Sequence, residues 1–116
     1  MQIEIYRKGA FQVLRLKEDI GLNTDMYDLK AVIEAQISQG IKHIAIAFSQ
    51  ESYLYTKSIA VLIACSELIK DVGGSLAIIE ANRDIIDIFS VIDFDKLIKM
   101  YKTEEELTAA TPTETP

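Results

Sequence analysis

Residues 41–48 read IKHIAIAF, and this stretch decides the fold class. Apolar and β-branched residues occupy both alternating sets of positions. That pattern is typical of a strand whose two faces are both covered, as in parallel sheets. We therefore predict the central strand of a mostly parallel sheet over residues 41–48.

The segments on either side of this strand predict helices that end at glycines. A helix over residues 57–72 stops at Gly73-Gly74, and a further strand follows over residues 75–80. The preceding helix has a cap predicted at Asn23 or Thr24 and ends at Gly40. Apolar residues recur in it at helical spacing: Met26, Leu29, Val32, Ile33 and Ile37.

The two ends of the chain complete the expected fold. Alternation over residues 2–7 and 11–16 predicts an antiparallel hairpin. Towards the C-terminus we predict a helix capped by Asn82, a strand over residues 97–101 and a short acidic helix over residues 103–107. The fold class is thus α/β: a single domain over residues 1–107, with a mixed, mostly parallel sheet and about four helices. Residues 108–116, TAATPTETP, are expected to be a disordered tail.

Composition excludes several classes of function. The formal net charge is −6, which disfavours binding to nucleic acid. The longest apolar run, residues 59–65, is too short to span a membrane, so we expect no direct membrane insertion. The single cysteine and the absence of a signal-like N-terminal pattern predict a cytoplasmic protein. We expect a monomer or a weak homodimer.

Residue types that carry chemistry are sparse. His43 and Cys65 are the chain's lone histidine and cysteine, and they lie on separate predicted elements. A metal site needs several converging ligands, so both are read as packing residues and no metal or cofactor is expected. No glycine-rich phosphate loop occurs. We predict no catalytic residues and no enzyme; a small α/β enzyme is the less favoured alternative.

The start of the second helix is the most informative region for function. Residues 59–65 are apolar on nearly every face, which favours packing on the sheet or partial exposure to a partner. Two tyrosines, Tyr53 and Tyr55, precede the helix, and aromatic residues are common at recognition surfaces. The predicted partner-binding residues are Tyr53, Tyr55, Thr56, Lys57, Ser58 and Val61.

The order of elements and three stretches resemble the STAS domain, the fold of bacterial anti-sigma factor antagonists. The stretches are IKHIAIAF, the helix–glycine–strand junction IKDVGGSLAII (residues 69–79) and IIDIFSVIDFDKL (residues 85–97). The resemblance covers nearly the whole chain and implies a non-catalytic module that binds a partner-switching serine kinase, the anti-sigma factor. It also implies a metal-dependent phosphatase that opposes the kinase.

The resemblance places the family's phosphoacceptor region just before the second helix. In the family an Asp and then Ser-Ser-Gly or Ser-Ala-Gly opens that helix; here Tyr55 stands at the Asp and Lys57 at the acceptor serine. The neighbouring hydroxyls, Thr56 and Ser58, are the candidate phosphoacceptors, although Thr56 could instead cap the helix. The family's Gly-x-Leu-Asp also differs, reading Glu-Asp-Ile-Gly over residues 18–21. The alternative function is therefore a phosphorylation-independent STAS scaffold or subunit, in a stressosome-like assembly or a lipid transporter.

Overall fold

The computed structural model describes residues 1–110, and within them it confirms the predicted α/β fold. Residues 111–116 of the predicted tail lie outside this range. The elements are β1 (Ile3–Lys8), β2 (Phe11–Leu16), α1 (Tyr27–Ser38), β3 (His43–Ala47), α2 (Thr56–Asp71), β4 (Ser75–Ile79), α3 (Arg83–Val91), a 3-10 turn (Phe94–Lys96), β5 (Lys99–Tyr101) and α4 (Glu106–Ala109).

The strands form one sheet in sequence order. β1 pairs antiparallel with β2, and β2 to β5 are mutually parallel, so IKHIAIAF does supply the central strand. Each parallel neighbour is reached through a helix. The three long helices, α1 to α3, share a single core cluster and therefore lie on the same face of the sheet. The carboxyl ends of β2, β3 and β4 meet at one edge, where the loops before α2 and α3 begin.

The two faces of the sheet are covered differently. The face towards α1, α2 and α3 buries the larger core, in which Leu14, Ile46 and Leu62 are completely buried. The second face buries a smaller cluster that includes Phe11 and Ile79, with Leu107 from α4 packed on it. Because side chains alternate along each strand, successive residues pack in turn into the larger core and into the smaller cluster.

Glycines end two helices as predicted. Gly40 and Gly73 have φ values of +86° and +74°, which a residue without a Cβ adopts at low cost. After α2, the amides of Gly73 and Gly74 bond back to the carbonyls of Lys70 and Ile69, each at 2.9 Å. A Cβ on Gly74 would lie 2.0 Å from the carbonyl oxygen of Lys42, so the chain can approach β3 this closely only at a glycine.

Several element ends differ from the sequence prediction; the last strand, for example, begins at Lys99 instead of residue 97. The N-cap of α1 is Met26, without a side-chain capping bond; Thr24 instead accepts a hydrogen bond from the Gly21 amide. The last helix begins later than predicted, and it runs to Ala109, past the boundary predicted at residue 107. The local hydrogen bonds of the loop before α1 outcompete capping, which sequence periodicity does not reveal.

Candidate functional site

The chain enters α2 through a short extended segment that presents two tyrosines. Tyr53 and Tyr55 are each 42% exposed, whereas Leu54 between them is buried. Their ring centroids lie 4.9 Å apart at an interplanar angle of 59°. Because an extended chain alternates its side chains, the buried Leu54 anchors the segment while both rings face outwards.

Helix α2 begins at Thr56, one residue earlier than predicted, and Tyr55 is its N-cap. The prediction that Thr56 caps the helix was therefore wrong: Thr56 is the first helical residue. The side chain of Tyr55 makes no capping hydrogen bond, and the first turn carries no acid. Lys57 follows as an exposed cation beside the positive end of the helix dipole.

The structure separates the six residues predicted to bind a partner. Tyr53, Tyr55, Thr56 and Lys57 are exposed and adjacent, and we call these four residues the α2 entry surface. Ser58 and Val61 are only 4% and 3% exposed, so neither contributes to this surface in this conformation.

The buried stripe of α2 explains why the last two residues face inwards. It comprises Ser58, Val61, Leu62, Cys65, Ser66 and Ile69, spaced at three and four residues. From the sequence, residues 59–65 are apolar on nearly every face, so the pattern did not predict this single stripe. Two serines within the stripe, Ser58 and Ser66, interrupt the apolar pattern. The sequence alone therefore does not show which side of the helix is buried.

The residues that precede the entry surface are hydrogen-bonded to the β2–α1 connection. The Ser52 hydroxyl accepts a hydrogen bond from the Ile20 amide at 2.9 Å, and the Tyr53 amide donates to the Ile20 carbonyl at 2.8 Å. Ser49 lies 2.8 Å from Ser52 and donates to Asp19 at 2.6 Å. These bonds form a continuous chain, so the loop is tied to the segment ahead of α1.

Asn82 fixes the same loop from the other side. Its Oδ1 accepts from the Ile85 amide at 2.9 Å, which confirms the predicted cap of α3. Its Nδ2 donates to the carbonyl oxygens of Gln50 and Ser52 at 2.9 and 2.6 Å. Gln50 in turn donates to the backbone oxygen of Glu80 at 2.8 Å. The loop before α2 and the start of α3 are therefore held together.

A charged cluster that the sequence analysis did not identify lies at the same edge of the sheet. Arg15 forms a bidentate pair with Glu80, both bonds at 2.9 Å, and donates to Glu104 at 2.7 Å and to the Tyr6 hydroxyl at 3.0 Å. Tyr6 also hydrogen-bonds Glu104, and Lys8 lies 3.8 Å from it. These five residues come from four separate parts of the chain. The one sequence signal for the cluster was a charged residue, Arg15, at a position of β2 whose side chain points to one face of the sheet.

The cluster shifts the titration of its members. The hydrogen bonds from Arg15 hold the pKa of Glu80 below its ordinary value, and the bond from Tyr6 does the same, with help from Arg15, for the pKa of Glu104. Burial, followed by the bond to Glu104, raises the pKa of Tyr6. All three shifts favour the protonation states that make the observed contacts near neutral pH.

The lone histidine and cysteine pack within the fold. Cys65 is fully buried in α2, and burial raises the pKa of its thiol to about 11, which disfavours the reactive thiolate. The Nδ1 of His43 lies 2.9 Å from the Ser75 hydroxyl on the neighbouring strand. Within residues 1–110 no three His, Cys, Asp or Glu side chains converge to hold a metal ion. None of the helices described is both long and apolar enough to cross a membrane.

Solved structures share this fold at low sequence identity. A crystal structure of a candidate anti-sigma factor antagonist, TM1081 from Thermotoga maritima, aligns with a TM-score of 0.79 at 17% identity, covering 92% of each chain. The NMR structure of TM1081 gives a TM-score of 0.76 at 17% identity, covering 94% of this chain and 87% of that one. The phosphorylated form of the Bacillus cell fate determinant SpoIIAA gives 0.69 at 18% identity, covering 90% and 95%.

The family comparison agrees with these structures. No curated protein matches the chain by sequence. The family model described as the STAS domain matches residues 2–107, which is nearly the whole chain and includes every strand of the sheet. This chain therefore belongs to the STAS domain family.

Proposed function

We propose that this protein is a non-catalytic regulatory module that binds a serine kinase of the anti-sigma type through the α2 entry surface. The observation that carries the proposal is the exposed pair of tyrosines, Tyr53 and Tyr55, held in place by the buried Leu54. Tyrosine supplies a large contact area for little conformational entropy, and it is enriched at the centres of protein interfaces. The protein would act in the cytoplasm, where such kinases operate.

Phosphorylation would regulate this surface at Thr56. Of the two candidate hydroxyls, Thr56 is exposed, whereas Ser58 is buried and would need local opening of α2 to reach a kinase. A phosphate on Thr56 would meet an uncapped helix N-terminus and the adjacent Lys57. It would also add nearly two negative charges to a surface that must lose water on binding, which would release the kinase. A metal-dependent phosphatase would reverse the modification.

SpoIIAA, which shares the fold, has been solved in a phosphorylated form. This observation was made on SpoIIAA, and on that basis we expect phosphate on this chain as well. The test is mass spectrometry of the protein purified by affinity from its native cells. We expect phosphate on Thr56 together with a co-purifying serine kinase. Peptides across residues 53–70 without phosphate, with a stoichiometric partner that is not a kinase, would contradict the proposal.

A second experiment tests the register of the acceptor. Lys57 occupies the position at which the resembling family carries its acceptor serine, so Lys57→Ser should make the protein a better substrate of the purified kinase. Thr56→Ala in the natural sequence should remove the phosphate, and Thr108→Ala, an exposed threonine on α4, is the matched control. Labelling that survives Thr56→Ala, or no gain with Lys57→Ser, would count against this register.

The alternative is a STAS scaffold or subunit that functions without phosphorylation. The observation that favours it is the lysine at the acceptor position together with the burial of Ser58. In that case the entry surface would bind a permanent partner, in a stressosome-like assembly or a lipid transporter. A stable complex that contains no phosphate and is unchanged by Thr56→Ala would favour this alternative.

A further inference from the structure

We propose that Asn82 is the positioning residue that holds the α2 entry surface in its binding conformation, an inference that rests on the proposed function of that surface. Asn82 does not belong to the surface itself. It lies at the start of α3, and its side chain is fully engaged: the Oδ1 caps α3, while the Nδ2 donates to two carbonyls of the loop before α2. The Asn82 amide thus uses its acceptor oxygen and its donor nitrogen at the same time.

The two carbonyls belong to the residues that set the course of the loop. Ser52 is 2% exposed, and its carbonyl oxygen lies 2.6 Å from the Asn82 Nδ2. The hydroxyl of the same residue accepts from the Ile20 amide. Ser52 is therefore held both by Ile20 and by Asn82, immediately before Tyr53. Without the Asn82 bonds, the direct hydrogen bonds at Ser52 and Tyr53 that remain among those described are those to Ile20 and Ser49.

The loop would otherwise pay a large entropic cost on binding, because each residue that a partner orders loses conformational freedom. With the loop already fixed, the tyrosine pair presents a single geometry to the kinase. The partner then docks as on a rigid body, with little rearrangement. A positioning residue outside the interface can therefore control affinity without contacting the partner.

Substitution can separate the two tasks of Asn82. Asn82→Ser keeps an oxygen that caps α3 but removes both donors to the loop. Asn82→Asp also keeps the cap, and in addition it places a carboxylate against the carbonyl oxygens of Gln50 and Ser52. The second variant should therefore disturb the loop more than the first, while α3 stays intact in both.

The first measurement is amide hydrogen exchange on the isolated full chain. We expect the Tyr53 amide to exchange about tenfold faster in Asn82→Ser, and faster still in Asn82→Asp. The Ile85 amide, bonded to the cap, and the amides of α2 beyond its first turn should keep their protection, which shows that the fold is intact. Unchanged protection of the Tyr53 amide in both variants would overturn the proposal, as would an equal loss at Ile85 and Tyr53.

The second measurement is the affinity of Asn82→Ser for the kinase captured by the natural protein. We expect affinity to fall about tenfold although no contact residue is changed. Full affinity together with a mobile loop would overturn the positioning role. Failure of the proposed function looks different: the Tyr53 amide would still respond to Asn82→Ser, but replacing the tyrosines themselves would leave partner binding unchanged.

Discussion

Two segments meet at the carboxyl edge of the sheet, the loop that enters α2 and the C-terminal segment that carries Glu104, and different chemistry holds each of them. The loop is held mainly by neutral hydrogen bonds, which Ser52 accepts from the Ile20 amide and from the Asn82 side chain. The C-terminal segment is held by charges, through Glu104 on Arg15. Neutral bonds respond weakly to pH and salt, whereas partly exposed ion pairs respond to both. The α2 entry surface should therefore keep its shape under conditions that loosen the C-terminal segment.

Glu80 is the residue at which the two arrangements meet. Its carboxylate pairs with Arg15, and its backbone oxygen accepts a hydrogen bond from the side chain of Gln50 in the loop. Its φ of +58° is unusual for a residue with a Cβ, and it costs energy that the surrounding bonds must offset. Glu80 thus provides a direct route by which a change to the charged cluster can reach the loop.

The largest effect on this comparison is expected from Arg15→Met. The change removes one side chain from three partners, so Glu80 loses its bidentate pair and Glu104 keeps only its contacts with Tyr6 and Lys8 among those described. We expect the free energy of unfolding to fall by about 2–4 kcal/mol, measured by urea denaturation. Arg7→Met, at an exposed position of β1, is the matched control and should stay within about 0.5 kcal/mol.

The same variant shows whether the two segments are independent. In hydrogen exchange, Arg15→Met should speed exchange at the Leu107 amide of α4 much more than at the Tyr53 amide. Equal acceleration at both amides would mean that the loop depends on the charged cluster, and the contrast between the two segments would be lost.

A smaller effect is expected from acid. Glu80 and Glu104 have folded-state pKa values below the ordinary 4.5, so their contribution to stability is complete above pH 4.5 and is lost as the pH falls through the folded-state values. Stability should therefore decline below pH 4.5 in the natural protein. In Arg15→Met the decline should be shallower, because protonation there relieves repulsion. Urea titrations of both proteins between pH 7 and pH 3 measure the difference; parallel curves would contradict it.

Local sequence signals predicted the framework of the fold. The strand IKHIAIAF, the helix ends at Gly40 and Gly73 and the cap at Asn82 follow from patterns within a few residues, and all were confirmed. The charged cluster could not be predicted in this way, because Tyr6, Arg15, Glu80 and Glu104 meet only after the sheet has formed.

The candidate site was predicted in part, for a related reason. The tyrosines and Lys57 were correctly expected at the surface, since they flank a helix start. Ser58 was expected there too, but a small hydroxyl residue fits the buried stripe of α2 as readily as it fits the surface. The second use of Asn82, its bonds to the loop, depends on the spacing between β3 and β4 and leaves no mark in the sequence.

The most direct test of the central claim, that the α2 entry surface binds the partner, is the affinity of the double variant Tyr53→Ala/Tyr55→Ala for the purified kinase. Tyr27→Ala, a tyrosine on α1 that is 57% exposed, is the matched control. We predict at least about a tenfold loss for the double variant and no loss for the control, with unfolding free energies that stay close to that of the natural protein. Equal affinity of all three proteins for the kinase would contradict the account.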